Sequence, residues 1–115
     1  MWVQLCENYV ARPTTYTSVE SALAILKQLS PRTTIYISAI NVYNPLTLCR
    51  LMGTNGQGET DTNSWRDRAV AAGLARLGPE MGPLTAQILI DDQCHPNSAG
   101  KALLGNQLKT FFDTK

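Results

Sequence analysis

The chain has 115 residues, of which 43% are hydrophobic and 17% are charged, proportions typical of a globular protein and not of a disordered one. A globular chain of this length buries somewhat over ~60% of its unfolded surface, which is enough for one hydrophobic core. Its 10 basic and 9 acidic residues leave a net charge of +1, so nothing attracts it generally to nucleic acid or to an anionic membrane. We therefore predict a single domain, residues 1–115, without a nucleic-acid partner.

Neither a signal peptide nor a membrane span is visible. Met1 is followed directly by Trp2, without the basic segment and the long apolar core of a signal peptide. No run approaches the ~18 apolar residues of a membrane-spanning helix. Localisation stays open, because we expect any signal to lie in an N-terminal portion that precedes these residues.

Three segments have the composition of strands. Residues 2–5 and 33–40 are short and rich in β-branched and aromatic residues. Residues 85–91 include a continuous apolar run, which is typical of a fully buried parallel strand. We expect Asp91 to end this strand with its side chain turned away from the site, since neighbours on a strand alternate.

Three segments between and after these strands have helical spacing. Thr17 and Glu20 form a capping box that begins the first helix, and Pro31 ends it. A second helix is predicted from Ser64 to Leu77, and a third covers residues 98–112. The order β-α-β-α-β-α predicts an α/β fold with a parallel sheet.

The connection between the second strand and the second helix, residues 41–62, is unusually long. Loops beyond ~12–15 residues in a compact domain are usually functional or disordered. Because this loop would leave the carboxyl end of a strand, we interpret it as a substrate-side loop. A plain mobile loop is the alternative.

The only histidine, His95, lies between the predicted third strand and third helix. Pro96 keeps its segment from being helical, so the carboxylate of Asp92 can fold back onto the imidazole and orient it. Such a pair is half of a catalytic triad, and the carboxyl end of a strand is where open α/β sheets bind ligands. The alternative is a structural pair within a loop.

Two blocks of the sequence resemble the SGNH, or GDSL-type, hydrolases, a family of esterases, lipases and carbohydrate deacetylases. Asp92-x-x-His95-Pro96-Asn97-x-x-Gly100 is similar to the last conserved block of that family. Leu5-Cys6-Glu7-Asn8-Tyr9-Val10 is similar to its Gly-x-Asn-Asp block, with Cys6 in place of Gly and Tyr9 in place of Asp. The resemblance implies a flavodoxin-like, three-layer αβα fold.

The resemblance also implies roles for individual residues. His95 would be the catalytic base, Asp92 its orienting carboxylate, and Asn8 an oxyanion-hole donor. The family's nucleophilic serine lies in a Gly-Asp-Ser block, which does not occur in this chain. The chain therefore resembles only the later half or so of an SGNH domain, as a truncated or split member.

A small-molecule ester would be the substrate of the completed enzyme, with no cofactor and no metal ion. The missing half leaves the first strand without a neighbour, so we expect self-association or an N-terminal complementing segment. The alternative is a non-catalytic remnant that binds a ligand or another subunit. Ser38, Ser64 and Ser98 are poor substitutes for the nucleophile, because the first lies inside a strand and the others at helix starts.

The three cysteines, Cys6, Cys49 and Cys94, are odd in number and lack metal-type spacing, so they indicate neither a closed disulfide framework nor a zinc site. Cys94 adjoins His95, which raises the alternative of a Cys–His nucleophile pair. Adjacent residues of an extended segment point to opposite sides, however, so His95 is badly placed to activate Cys94.

Overall fold

The computed structural model describes residues 1–7, 14–53 and 56–115. Within these ranges three strands and three α-helices alternate, which confirms the predicted order β-α-β-α-β-α. They are β1 (Trp2–Gln4), α1 (Tyr16–Leu29), β2 (Tyr36–Ser38), α2 (Gln57–Ala71), β3 (Arg76–Leu77) and α3 (Ser98–Asp113). Short 3-10 turns lie at Arg50–Met52 and Ala86–Ile88.

The strands form one parallel sheet in the order β1-β2-β3, as predicted. Ile37 at the centre of β2 is paired with Val3 of β1 on one side and with Leu77 of β3 on the other. Among the described residues β1 and β3 are therefore the two edges of the sheet, and β1 pairs on one side only.

The helices cover opposite faces of this sheet. Ile37 is fully buried in a cluster that includes Leu23 of α1 and Ala69 of α2. The preceding residue, Tyr36, contacts the rings of Phe111 and Phe112 on α3 edge-to-face. Successive side chains of a strand point to opposite faces, so α1 and α2 pack on one face and α3 on the other. The result is a small α/β fold with three layers.

Side-chain caps set the starts of α1 and α3. The hydroxyl of Thr15 accepts from the backbone N–H of Ser18, so the capping residue of α1 lies two positions before the predicted one, Thr17. Asn97 accepts from the N–H of Gly100 at 3.1 Å and begins α3 at Ser98, as predicted. A capped backbone donor typically contributes about 1 kcal/mol to the stability of a helix.

Helix α2 lies nearly two turns earlier than the predicted span from Ser64 to Leu77. Its first turns are polar, but Thr62 and Asn63 donate their side-chain hydrogens to carbonyls one turn back, at 2.8 Å each. Gly73, at φ +73°, follows its end, and the N–H of Leu74 reaches back to the carbonyl of Ala69. This glycine-centred cap ends the helix. Because α2 begins at Gln57, the connection between β2 and α2 is shorter than the predicted one.

The prediction of a third strand at residues 85–91 is wrong. Ile88 accepts from the N–H of Asn97 and Ile90 donates to the carbonyl of His95, so these backbone groups close a local loop and cannot join the sheet. The third strand is Arg76–Leu77 instead. Gly78, which follows this strand, lets the chain lie close to β2, because a Cβ at this position would lie 2.6 Å from the hydroxyl of Ser38.

A second buried cluster lies beyond the end of β2. Tyr43 forms a parallel bridge with Leu84, and both side chains pack with Met52 and Leu89. A disulfide bond joins Cys49 to Cys94 inside the same cluster. The number and spacing of the cysteines did not indicate this bond. None of the helices in the described part of the chain is long and apolar enough to cross a membrane.

Candidate functional site

The candidate site is built on the loop of residues 88–97. Its two arms are joined by the bonds from Ile90 to His95 and from Asn97 to Ile88, at 2.9 Å each. The tip is a tight turn in which the N–H of Gln93 donates to the carbonyl of Ile90 and Gln93 adopts φ +57°. Asp91 lies in this turn with its side chain exposed, and not at the end of a strand as predicted.

Asp92 and His95 contact each other, as predicted. One carboxylate oxygen of Asp92 accepts from the backbone N–H groups of Cys94 and His95, at 2.9 Å each. The other contacts Nδ1 of the imidazole. The backbone N–H of His95, its side chain and the N–H of Cys94 lower the pKa of Asp92 to about 2. The carboxylate is thus ionised and fixed from both sides.

The imidazole of His95 is open to solvent. Its side chain is 68% exposed, and no hydrogen bond within the described part of the chain engages Nε2. The ring also borders a pocket of about 240 Å³. The nitrogen that faces away from Asp92 is therefore free to exchange a proton with a bound molecule.

This pocket lies where the sequence predicted a ligand site, at the carboxyl ends of the parallel strands. Cys6 and Glu7 line it from beyond β1, and Ile40 and Asn41 from beyond β2. His95 reaches it from the loop before α3, although that loop does not follow a strand of the sheet as predicted. The apolar part of the wall includes Leu5, Leu51, Met52 and the Cys49–Cys94 disulfide.

Polar side chains connect the strand ends to the His95 loop. The amide of Gln4 donates to Oδ1 of Asn41 at 2.5 Å, and the hydroxyl of Tyr43 donates to the carbonyl of Cys94 at 2.6 Å. Burial is the main cause that raises the pKa of Tyr43 to about 12. Sequence analysis missed these three residues, although Asn41 and Tyr43 follow the carboxyl end of a strand and could have been found by that rule.

The wall formed by Ile40 is held by a buried threonine. The backbone N–H of Ile40 donates to the hydroxyl of Thr62 at 3.2 Å, and that hydroxyl donates to the carbonyl of Gly58 at 2.8 Å. Thr62 is fully buried. A fixed position of Ile40 also fixes Asn41, the next residue, at the edge of the pocket.

Glu7 is a further pocket residue that the sequence did not indicate as part of the site. Its carboxyl is buried, and one oxygen accepts from the N–H of Thr14 at 3.1 Å. The other oxygen is buried without a hydrogen-bond partner in the described part of the chain. Burial raises the pKa of Glu7, the bond from Thr14 lowers it and the charge of Asp61 raises it further. This acid therefore favours its neutral form more than an ordinary glutamate does.

The predicted oxyanion donor, Asn8, lies outside the described residues. Ser38 is buried and doubly bonded, since it accepts from the indole N–H of Trp2 at 3.0 Å and donates to the carbonyl of Pro79 at 2.6 Å. Ser64 lies within α2 and not at its start as predicted, whereas Ser98 begins α3. Cys94 is oxidised in the disulfide and has no thiol to act as a nucleophile.

Two residues of the block around His95 have local structural roles. Asn97 caps α3, and its amide also donates to the carbonyl of Gln87 at 3.0 Å. Gly100 packs so closely on the carbonyl of Ile88 that a Cβ would overlap it. The local fold thus accounts for Asn97 and Gly100.

In residues 1–7, 14–53 and 56–115 no group of three or more His, Cys, Asp or Glu side chains is placed to hold a metal ion. Comparison of the chain with protein-family models, with curated proteins and with solved structures gave no significant match.

Proposed function

We propose that this chain supplies the acid–base part of a serine ester hydrolase of the SGNH type. The observation that carries the proposal is the contact of Asp92 with Nδ1 of His95, a residue that lines the pocket, which leaves Nε2 without a hydrogen bond in the described part of the chain. In such an arrangement Nε2 takes the proton of the serine hydroxyl and later gives it to the leaving alcohol. Asp92 holds the imidazole tautomer and stabilises its cation.

Asn8 is the proposed donor to the oxyanion. The placement of Cys6 and Glu7 supports this role, because the two residues that precede Asn8 line the same pocket as His95. Removal of one oxyanion-hole donor typically raises the barrier by about 3–4 kcal/mol.

The nucleophilic serine is proposed to come from a segment outside these 115 residues. Among the described residues β1 pairs only with β2, which supports this part of the proposal, since an edge strand can accept a further strand. Such a strand could belong to an N-terminal complementing segment or to a second copy of the chain. A small-molecule ester would then enter the pocket beside His95.

A second candidate function is a non-catalytic module that binds a ligand or a subunit. The observation that favours it is the bonding of Asp92 to the backbone N–H groups of Cys94 and His95. These bonds alone would give Asp92 a purely structural role in the turn.

The test begins with the genomic sequence immediately upstream, which should encode an in-frame Gly-Asp-Ser segment. The 115 residues alone should hydrolyse p-nitrophenyl acetate only at the background rate. The joined protein, in which the upstream segment precedes these residues in one chain, should hydrolyse it rapidly. His95→Ala in the joined protein should lower kcat about 10⁴–10⁶-fold. Asp92→Asn should lower it about 10⁴-fold.

Asp91→Asn is the matched control, because Asp91 lies beside Asp92 in the same turn and its side chain is exposed. It should leave kcat within twofold. A joined protein that keeps its activity after His95→Ala would contradict the serine-hydrolase proposal. So would rapid ester turnover by the isolated chain that is lost in Cys6→Ala.

A further inference from the structure

All three cysteines of the chain border the pocket beside His95. Cys49 and Cys94 are joined as a disulfide, whereas Cys6 is a free, exposed thiol. The free thiol and the disulfide therefore border one cavity of about 240 Å³, and thiol–disulfide exchange depends on access of the thiol to a disulfide sulfur.

Tyr43 interacts with the surroundings of both Cys6 and Cys94. The hydroxyl of Tyr43 donates to the carbonyl of Cys94 at 2.6 Å. After burial, the largest cause of the raised pKa of this phenol is the charge of the Cys6 thiolate. An electrostatic effect of that kind falls off with distance, so Cys6 and Cys94 both lie near the same phenol.

We propose that Cys6 undergoes reversible exchange with the Cys49–Cys94 disulfide within the folded chain. The Cys6 thiolate attacks one sulfur of the disulfide, a bond forms between Cys6 and that sulfur, and the Cys49–Cys94 bond breaks. The other sulfur leaves as a thiolate and takes up the proton that Cys6 released. The number of disulfides and thiols is unchanged, so no external oxidant or reductant takes part.

The environment of Cys6 keeps the Cys49–Cys94 form in place at rest. Burial and the charge of Glu7 raise the pKa of the Cys6 thiol, and the thiol is a far weaker nucleophile than the thiolate. Tyr43 and His95 are the other titratable groups around the pocket. A change at Glu7 that removed its charge would increase the thiolate fraction of Cys6.

Exchange would change how the His95 loop is attached to the fold. The disulfide ties Cys94 to the segment that carries Cys49, and attack at either sulfur removes that link. The contact of Asp92 with His95 is internal to the loop, so it survives the exchange. What changes is the position of the imidazole relative to the pocket, and this inference does not depend on ester hydrolysis.

Two variants test whether Cys6 can reach the disulfide. In Cys94→Ser, Cys6 and Cys49 remain, and in Cys49→Ser, Cys6 and Cys94 remain. Each is equilibrated with reduced and oxidised glutathione, quenched with acid and analysed by intact mass. In at least one variant the two remaining thiols should form an intramolecular disulfide. Their effective concentration in the folded protein should be tenfold or more above that in the same variant unfolded in 8 M urea.

Peptide mapping of the unsubstituted chain guards against variants that fail to fold. The chain is incubated at pH 9 and quenched with acid, and its free thiols are then alkylated. The alkyl label should appear on Cys49 or Cys94 as well as on Cys6. Cys6→Ser, the matched control, should carry no label. The inference is overturned if the label stays on Cys6 alone and neither variant exceeds its value in urea.

Discussion

Tyr43 donates its hydroxyl hydrogen to the backbone carbonyl of Cys94 over 2.6 Å, and so joins the carboxyl end of β2 to the loop that holds His95. Both residues are buried, so Tyr43→Phe leaves this carbonyl without its partner. We expect the free energy of unfolding at neutral pH to fall by about 1–2 kcal/mol, measured by urea denaturation. Tyr36→Phe keeps the ring that packs on α3 and should change it by less than ~0.5 kcal/mol.

The same phenol makes stability sensitive to alkaline pH. Burial raises the pKa of Tyr43 from 10 to about 12, so the folded chain holds this proton more tightly than the unfolded chain does. Its contribution is complete below pH 10 and is lost as the pH rises to about 12. Over this interval the free energy of unfolding of the unsubstituted chain should fall by about 2–3 kcal/mol more than that of Tyr43→Phe. Equal losses in both proteins would show that the phenol is solvated.

Gly100 and Gly105 of α3 form a matched pair of helical glycines. A Cβ at Gly100 would overlap the carbonyl of Ile88 and lie 2.7 Å from Pro96, whereas one at Gly105 would meet nothing within 4 Å. Gly100→Ala should therefore destabilise the fold by about 1–3 kcal/mol. Gly105→Ala should stabilise it by up to about 1 kcal/mol, because alanine favours the helix. Thermal unfolding of the two variants measures both signs, and equal effects would contradict the close packing of Gly100.

Burial of the Glu7 carboxyl predicts a pH-dependent loss of stability. Burial raises the pKa of Glu7 above its ordinary value of 4.5. The hydrogen bond from Thr14 lowers this pKa and the charge of Asp61 raises it, and the net effect is an increase. The folded chain thus binds this proton more tightly than the unfolded chain, and stability falls as the pH rises from 4.5 through the raised pKa. Glu7→Gln should have a higher Tm than the unsubstituted chain at pH 7 and an equal one well below pH 4.5. Glu20→Gln, at an exposed position on α1, is the control and should show no such pH-dependent gain.

Local patterns in the sequence were enough to predict α1, α3, the first two strands and their parallel pairing. They failed where a long-range contact decides the structure. The apolar run at residues 85–91 has the composition of a strand, but Ile88 and Ile90 bond to residues 95–97 of their own loop. The two-residue strand Arg76–Leu77 exists because Ile35 accepts the backbone hydrogen of Arg76 and Ile37 accepts that of Gly78, the next residue after the strand. No local pattern shows this pairing.

The candidate site was predictable to the same extent. The contact of Asp92 with His95 could be predicted because the two residues lie only three positions apart and Pro96 keeps their segment from being helical. Asn41, Tyr43 and Glu7 meet that segment only after the chain has folded. The disulfide was missed for the same reason, since Cys49 and Cys94 lie 45 positions apart. Spacing along the chain carries little information about such a pair.

The carboxyl of Asp92 makes stability depend on acid pH. The bonds from the backbone N–H of His95, from its side chain and from the N–H of Cys94 lower the pKa of Asp92 from 3.8 to about 2. The folded chain therefore binds this proton less tightly than the unfolded chain, so the stabilisation is complete above pH 3.8 and is lost as the pH falls through about 2. A carbon-detected NMR titration should place the Asp92 carboxyl midpoint near pH 2, and a midpoint at its ordinary value would contradict the pairing with His95.

Asp92→Asn tests what this carboxylate does to the imidazole. An ionised Asp92 accepts a hydrogen bond, so the neutral imidazole of His95 must carry its hydrogen on Nδ1 and leave Nε2 free. An asparagine presents an amide hydrogen to Nδ1, which favours the opposite tautomer, the form that cannot take a proton at Nε2. Nitrogen-15 shifts of the ring at pH 8 should show hydrogen on Nδ1 in the unsubstituted chain and in Asp91→Asn, and on Nε2 in Asp92→Asn. If all three proteins show the same tautomer, Asp92 does not orient His95, and the acid–base role proposed for the pair fails with it.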